Sequence, residues 1–278
     1  MKKTYILPIL LVLLFAKCEK VIDVDVPSIE PKLIIDASFE VYFDEDPVRA
    51  KTTVKLSESA DYFEETIPTV TNATVFITYQ INQDTFVIDF TDDNADGTYE
   101  PAISFVPIDN IEYELTVIHN NETYKGKATK VKSTPIIEVN RGDGTLFSGN
   151  EIEIKVKIQD ELDVDNYYYF DFSNNNYSVL EDRFFDGQEY EVPNFYLEDE
   201  IELPITVNIK MLGISKDYYT YLQILVDQSG QDGGGPFETV PTSLLGNMIN
   251  TTNDSNFPLG YFHISETDTI ELFLDKEE

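Results

Sequence analysis

The sequence predicts a mainly β protein made of two β-sandwich domains. Three observations carry this expectation. Short runs of alternating polar and apolar residues recur along the chain, separated by Pro, Gly, Asn and Asp. Residues suited to a pleated, half-buried surface dominate, with 17 Tyr and 18 Phe but no Trp. Helical spacing of apolar residues is confined to one stretch near residue 220.

The chain opens with Lys2 and Lys3, about a dozen apolar residues from Tyr5 to Ala16, and then Lys17-Cys18-Glu19-Lys20. At ~1.5 Å per residue, that apolar run falls short of a ~30 Å hydrocarbon core and reads as a cleaved export signal. Cys18, the single cysteine among 278 residues, follows directly. Bacterial lipoproteins place their lipidated cysteine there, so residues 1–17 are expected to be a signal peptide and Cys18 the lipid-bearing residue. Lys17 stands where such signals carry a small residue. A lone cysteine forms no internal disulfide, so the fold rests on its core. Residues 18–30 read as an acidic tether.

Against 52 acidic residues stand 19 basic ones, giving a net charge of −33. Loss of Lys2, Lys3 and Lys17 with the signal takes this to −36. Such a surface repels phosphate backbones, which excludes nucleic acid as a partner. It also repels anionic bilayers, so membrane contact falls to the N-terminal lipid.

Residues 31–133 read as the first sandwich. Strands are expected at 33–39, 49–56, 73–79, 85–90, around Tyr99, and at 112–119 and 122–130. The 73–90 hairpin turns at Asn82-Gln83, and Asn120-Asn121 suits a type I′ turn. About seven short strands at regular spacing indicate a sandwich of the immunoglobulin or transthyretin kind. Ser133-Thr134-Pro135 marks the boundary.

Residues 135–278 read as the second sandwich, with an inserted helix and a long loop. Residues 151–158 alternate cleanly, with Ile152, Ile154, Val156 and Ile158 on the apolar face. Residues 166–172 form a partner strand. Residues 174–200 read as an acidic, aromatic excursion, and 201–212 return to strand. Ser215 caps a helix over 215–228, with Asp217 in its first turn. A glycine-rich loop follows through Pro258, and two strands, 259–264 and 269–274, close the chain.

Few residues point to chemistry. Asp92, Asn94 and Asp96 with Gly97 match the front half of a Ca²⁺ loop, but Ile103 stands at the twelfth position where a bidentate acid is needed. The competing and favoured reading is a polar hairpin turn. No cofactor beyond that Ca²⁺ is expected. His119 and His263 are the only histidines, and neither has metal ligands at diagnostic spacing. No Gly-x-Ser-x-Gly turn is present. Gly233, Gly234, Gly235, Pro236 and Phe237 follow a helix instead of preceding one, so they cannot offer helix N-terminal amides to phosphate. They read as a partner-contacting loop. Phe184, Phe185, Tyr190, Phe195 and Tyr196 form a second candidate contact surface.

Several segments together resemble a family of Bacteroidota lipoproteins, the domain of unknown function (DUF) 4249 family. They are Cys18-Glu19-Lys20-Val21-Ile22-Asp23-Val24, Pro31-Lys32-Leu33-Ile34-Ile35, Gly213-Ile214-Ser215-Lys216 with Tyr218-Tyr219, Gly234-Gly235-Pro236-Phe237, and Leu259-Gly260-Tyr261-Phe262. The proline run common after Gly-Pro-Phe in that family is thinned here to Pro241. The resemblance implies an outer-membrane lipoprotein, lipid-anchored and facing the cell surface. By analogy it acts without catalysis as companion of a TonB-dependent-type barrel, in ligand capture or transport. An accessory structural subunit of an outer-membrane assembly or secretion complex is the alternative expectation, and a surface hydrolase ranks below it.

Overall fold

The computed structural model describes residues 30–43, 45–60, 64, 66–146, 149, 151–197, 200–228 and 244–276. The fold is mainly β. The first seven strands are β1 (Leu33–Tyr42), β2 (Arg49–Glu58), β3 (Thr74–Ile81), β4 (Asp84–Thr91), β5 (Thr98–Pro101), β6 (Glu112–His119) and β7 (Glu122–Val131). Next come β8 (Ile136–Arg141), β9 (Ile152–Gln159), β10 (Tyr167–Asp171), β11 (Tyr177–Glu181), β12 (Glu189–Tyr196) and β13 (Ile205–Gly213). Helix α1 (Lys216–Gln228), the short β14 (Ile249–Asn250) and the 13-residue β15 (Phe262–Leu274) complete the set.

The first sandwich is a closed ring in the order β15-β1-β2-β5-β4-β3-β6-β7, with β7 returning to β15. β5 and β7 join the two layers at opposite sides, so the ring has no free edge. Its turns follow from residue type. Asn82 and Gln83 (φ 52° and 85°) and Asn120 and Asn121 (φ 49° and 63°) take the left-handed conformations that two-residue hairpins demand. The core centres on Phe39, whose ring lies 5.6 Å from Phe90, 5.9 Å from Phe105 and 5.2 Å from Phe262.

The second sandwich sets β12-β9-β8 against β11-β10-β13 and the C-terminal half of β15. Ile154, Val156, Phe170, Tyr196, Ile209 and Leu274 meet in its core. Pro193 sits in β12, an edge strand, where its missing N–H breaks no ladder between two neighbours.

β15 is common to both sandwiches. Its first half pairs in parallel with β1, from Ala37 opposite Phe262 to Tyr42 opposite Thr267. Its second half pairs antiparallel with β13, from Leu212 opposite Thr267 to Ile205 opposite Leu274. The result is one long layer, β11-β10-β13-β15-β1-β2, that backs two cores. Between the cores the front face of β15 turns polar. Glu266 accepts from the Lys130 ammonium (2.9 Å) and the Ser133 N–H (3.0 Å). Asp268 accepts from the Ile136 N–H (2.7 Å). These carboxylates hold the connection from β7 to β8. A Cβ at Gly213 would stand 1.9 Å from the Lys132 carbonyl oxygen, so only glycine admits this crossing.

Three sequence expectations change here. The closing segment is one strand, not two. Met248, Phe262 and Ile264, assigned by sequence to the second domain, pack in the first core. The stretch read as an excursion over 174–200 holds two paired strands, β11 and β12, around a 3-10 turn at Asp182–Phe184.

Candidate functional site

The alternation of β1 sends Leu33, Ile35, Ala37, Phe39 and Val41 into the first core. By the same period of two, Ile34, Asp36, Ser38, Glu40 and Tyr42 occupy the back of the long layer. Strand register extends this row sideways. Lys55 stands opposite Asp36 and Lys51 opposite Glu40 on β2. On the other flank His263 stands opposite Ser38, Ser265 opposite Glu40, and Thr267 opposite Tyr42. Leu212 and Tyr169 carry the row onto β13 and β10.

Helix α1 roofs part of this face. Ser215 Oγ accepts from the Tyr218 N–H at 3.2 Å, which fixes the first turn. Tyr218 stacks between Tyr261 and His263, both at 4.5 Å, and Tyr221 lies 5.0 Å from Tyr261. Tyr219 packs 5.1 Å from Tyr167 and ties the helix to β10. A Cβ at Gly260 (φ 92°) would sit 2.2 Å from the Ile35 carbonyl oxygen, so glycine lets Tyr261 come up against β1.

Between helix and sheet run two adjoining cavities, of about 510 and 480 Å³. They share Asp36, Tyr169, Tyr177 and Tyr218. The first is polar, with Glu40, Lys51, Lys55, Glu100, Asp171 and Lys210 in its walls. The second is aromatic and aliphatic, with Tyr221, Tyr261, Leu222 and Ile34.

The groove's floor is electrostatically ordered. Glu40 is buried and accepts from Lys210 Nζ and from the Tyr42 hydroxyl, each at 2.6 Å. Desolvation pulls its carboxyl upward, but Lys210 and Tyr42 outweigh that and hold it below the usual range. Tyr42 is in turn pushed up by burial and by Glu40. Burial lowers His263 to about 4, so its ring is neutral at pH 7. Crowding raises the Asp36 carboxyl, with smaller opposing pulls from Lys55 and Lys210.

Ser265 Oγ lies 3.1 Å from His263 Nδ1. That serine is 0% exposed and His263 7%, and both line a further cavity of about 260 Å³. The phenols of Tyr169, Tyr218 and Tyr221 are all raised by burial and remain neutral donors and acceptors.

The residues singled out from sequence lie elsewhere. Cys18, Gly233, Gly234, Gly235, Pro236 and Phe237 fall outside the described residues. Asp92 Oδ1 and Oδ2 accept from the amides of Asp96 (3.1 Å) and Gly97 (2.9 Å), and Asp96 accepts from the Thr98 N–H (2.8 Å). Those carboxylates tie a hairpin turn. Asn94 is exposed beside them. The aromatic surface on 184–196 is dispersed. Phe185 and Tyr196 are buried in the second core, Phe185 stacks on Tyr190 at 4.3 Å, and Tyr196 donates to the Phe172 carbonyl. Phe195 is half-buried, and Phe184 alone stands out, 85% exposed. Alternation through the polar residues of β12 sends Val192 and Tyr196 inward. His119 lies 3.9 Å from Glu58 at the end of β6, away from any metal-type cluster among the described residues.

Two further polar groupings escaped the sequence reading. Asp160, Asp182 and Asp186 approach one another, but each ties a loop: Asp160 to Tyr168 and Gly187, Asp182 to Asn166, and Asp186 to Asp163. Glu122 accepts from Tyr124 (2.7 Å), Asn253 (2.9 Å), Asn256 (2.6 Å) and Asn250 (2.9 Å). These bonds lower its carboxyl to about 2 and pin the 250–256 loop. The groove itself had one sequence signal. The segments around Tyr218 and around Tyr261, both part of the family resemblance, meet at its wall.

Comparison with curated proteins gives no match. Among solved structures, the chicken interferon gamma receptor alpha chain is similar at 10% identity and a TM-score of 0.17. That match covers 68% of this chain and 90% of the receptor chain, and at such a score it supports no structural argument. The family model for the domain of unknown function DUF4249 matches residues 19–271. With that match running from residue 19 into the last strand, the chain belongs to the DUF4249 family.

Proposed function

We propose that this protein is a lipid-anchored, non-enzymatic binding protein of the outer membrane, displayed at the cell surface. In this reading it accompanies a TonB-dependent-type barrel in ligand capture or transport. The observation that carries the binding part is the two-part groove under α1. It combines tyrosines with charged groups over a floor that includes the neutral ring of His263. Concave sites with aromatic walls and a few converging polar groups are the usual form of small-ligand sites. The anchoring part is supported by the leader sequence and the position of Cys18. The barrel partnership is supported by the lipoprotein resemblance.

The test is a mild-detergent pull-down of tagged full-length protein from native outer membranes, read by mass spectrometry. A TonB-dependent-type barrel is the expected product. Recovery of assembly or secretion components in its place would move the protein to an accessory role, and recovery of no barrel would overturn the companion reading.

A further inference from the structure

We propose that the aromatic end of the groove is a receptor for a small organic cation, an ammonium group on an apolar or aromatic body, with Asp36 as its counter-ion. This deepens the binding role proposed above and rests on it.

Among the described residues, Asp36 is the only charged side chain lining the aromatic cavity. It is exposed to that space, on the groove's floor. It forms no hydrogen bond or ion pair with any described residue. Glu40, two residues along the same face, is the contrast, because Lys210 and Tyr42 occupy its carboxylate. Lys55 and Lys210 act on that carboxylate only from a distance, so an ammonium group entering the cavity would be its first direct partner.

The walls suit the same ligand. Tyr218 stacks on Tyr261 and Tyr221, Tyr221 lies tilted against Tyr261, and Tyr169 and Tyr177 stack at 6.0 Å. Electron-rich rings around a cation contribute attraction beyond burial. Ile34, Leu222 and Leu225 offer an apolar surface for the body of the molecule.

Other ligand classes fit less well. An anion would face Asp36 and a chain of net charge −33. A neutral sugar would stack on the tyrosines but leave the Asp36 carboxylate without a direct ionic partner. Lys55, opposite Asp36 on β2, lines only the polar cavity and makes no ion pair with it.

The experiment is isothermal titration of the full-length protein in detergent with four probes. These are phenethylamine, phenyltrimethylammonium, the neutral 2-phenylethanol, and a lysine-containing tripeptide with blocked termini. Tyrosine fluorescence gives a second readout, since the chain has no Trp. Both ammonium probes are expected to bind at least about tenfold tighter than 2-phenylethanol. Asp36→Asn should abolish that preference with an unchanged circular dichroism spectrum, and Tyr221→Ala should weaken all aromatic probes. Equal affinity for 2-phenylethanol, a preference that survives Asp36→Asn, no binding by either amine, or binding of the tripeptide alone would each overturn the proposal. If the cation preference fails while the pull-down recovers a barrel, only the ligand class falls. Cation binding without a recovered barrel removes the companion reading alone.

Discussion

On its front face the long layer presents Phe39, Ile264, Phe170 and Ile209 to two hydrophobic cores. On its back face the same strands present Asp36, Glu40, His263, Ser265 and Lys210. Both faces obey the two-residue period of a strand, yet only the front follows the usual division of apolar inside and polar outside. Glu40 and His263 are buried, and Ser265 and Thr267 are 0% and 1% exposed. Tyr218 covers His263, a polar position that a bare sheet would leave to water. Buried polar groups beside the small apolar cluster of Leu212, Ile214, Tyr218 and Leu222 are therefore the mark of the site, whereas purely apolar burial marks the scaffold.

The sharpest way to break this contrast is to damage each face in turn. Phe39→Ala, at the centre of the front face, should cost about 3–5 kcal/mol in urea denaturation. A loss below about 1 kcal/mol would mean that the first core refills the void and that the front face is not the scaffold.

Acid is expected to act through the back face. His263 has a folded-state value of about 4 against an ordinary 6.5, so the unfolded chain takes up the proton first as pH falls. Its contribution to stability is intact above pH 6.5 and is lost between pH 6.5 and 4, by roughly 3 kcal/mol. His263→Phe keeps the stack on Tyr218 and should flatten that part of the profile. Identical slopes for the two proteins would count against the assignment.

Glu40→Gln should cost about 2 kcal/mol, because Lys210 loses the carboxylate that neutralises it, though Lys210 keeps some contact with water. The double variant with Lys210→Met should recover much of the loss in a thermodynamic cycle. Simple additivity would show that the pair is not coupled.

Asp36→Asn should change stability by no more than about 0.5 kcal/mol, with a slight gain at neutral pH, since crowding already disfavours its charge. Thermal melts would check this. A clear loss would give Asp36 a structural partner and blur the distinction from Glu40.

Local features of the fold were legible in sequence. The Asn120-Asn121 and Asn82-Gln83 turns, the Ser215 cap and the alternation over 152–158 all depend on residue type within a few positions. What failed was non-local. Residues 265–268 looked like a break between two strands because they are polar throughout. In the fold, Ser265 and Thr267 are buried on the back face of the layer while Glu266 and Asp268 hold the connection between sandwiches. Tyr177–Glu181 and Glu189–Tyr196 hid behind acids, a proline and a 3-10 turn. The floor of the groove was illegible because Asp36 and Glu40 look like the solvent side of a half-buried strand. Its walls, moreover, come from segments distant in sequence.

The shared last strand also sets an order of events during synthesis. Pairing of Ala37 with Phe262 joins nearly opposite ends of the described chain. Until residues 262–274 emerge, the first ring lacks one stave and β13 lacks its neighbour. Unpaired backbone then stays open on β1, β7 and β13, a template for mispairing between nascent copies. When the final segment arrives it closes both units in a single step. Neither half can be inherited, trimmed or exchanged without the other, although each has a core of its own.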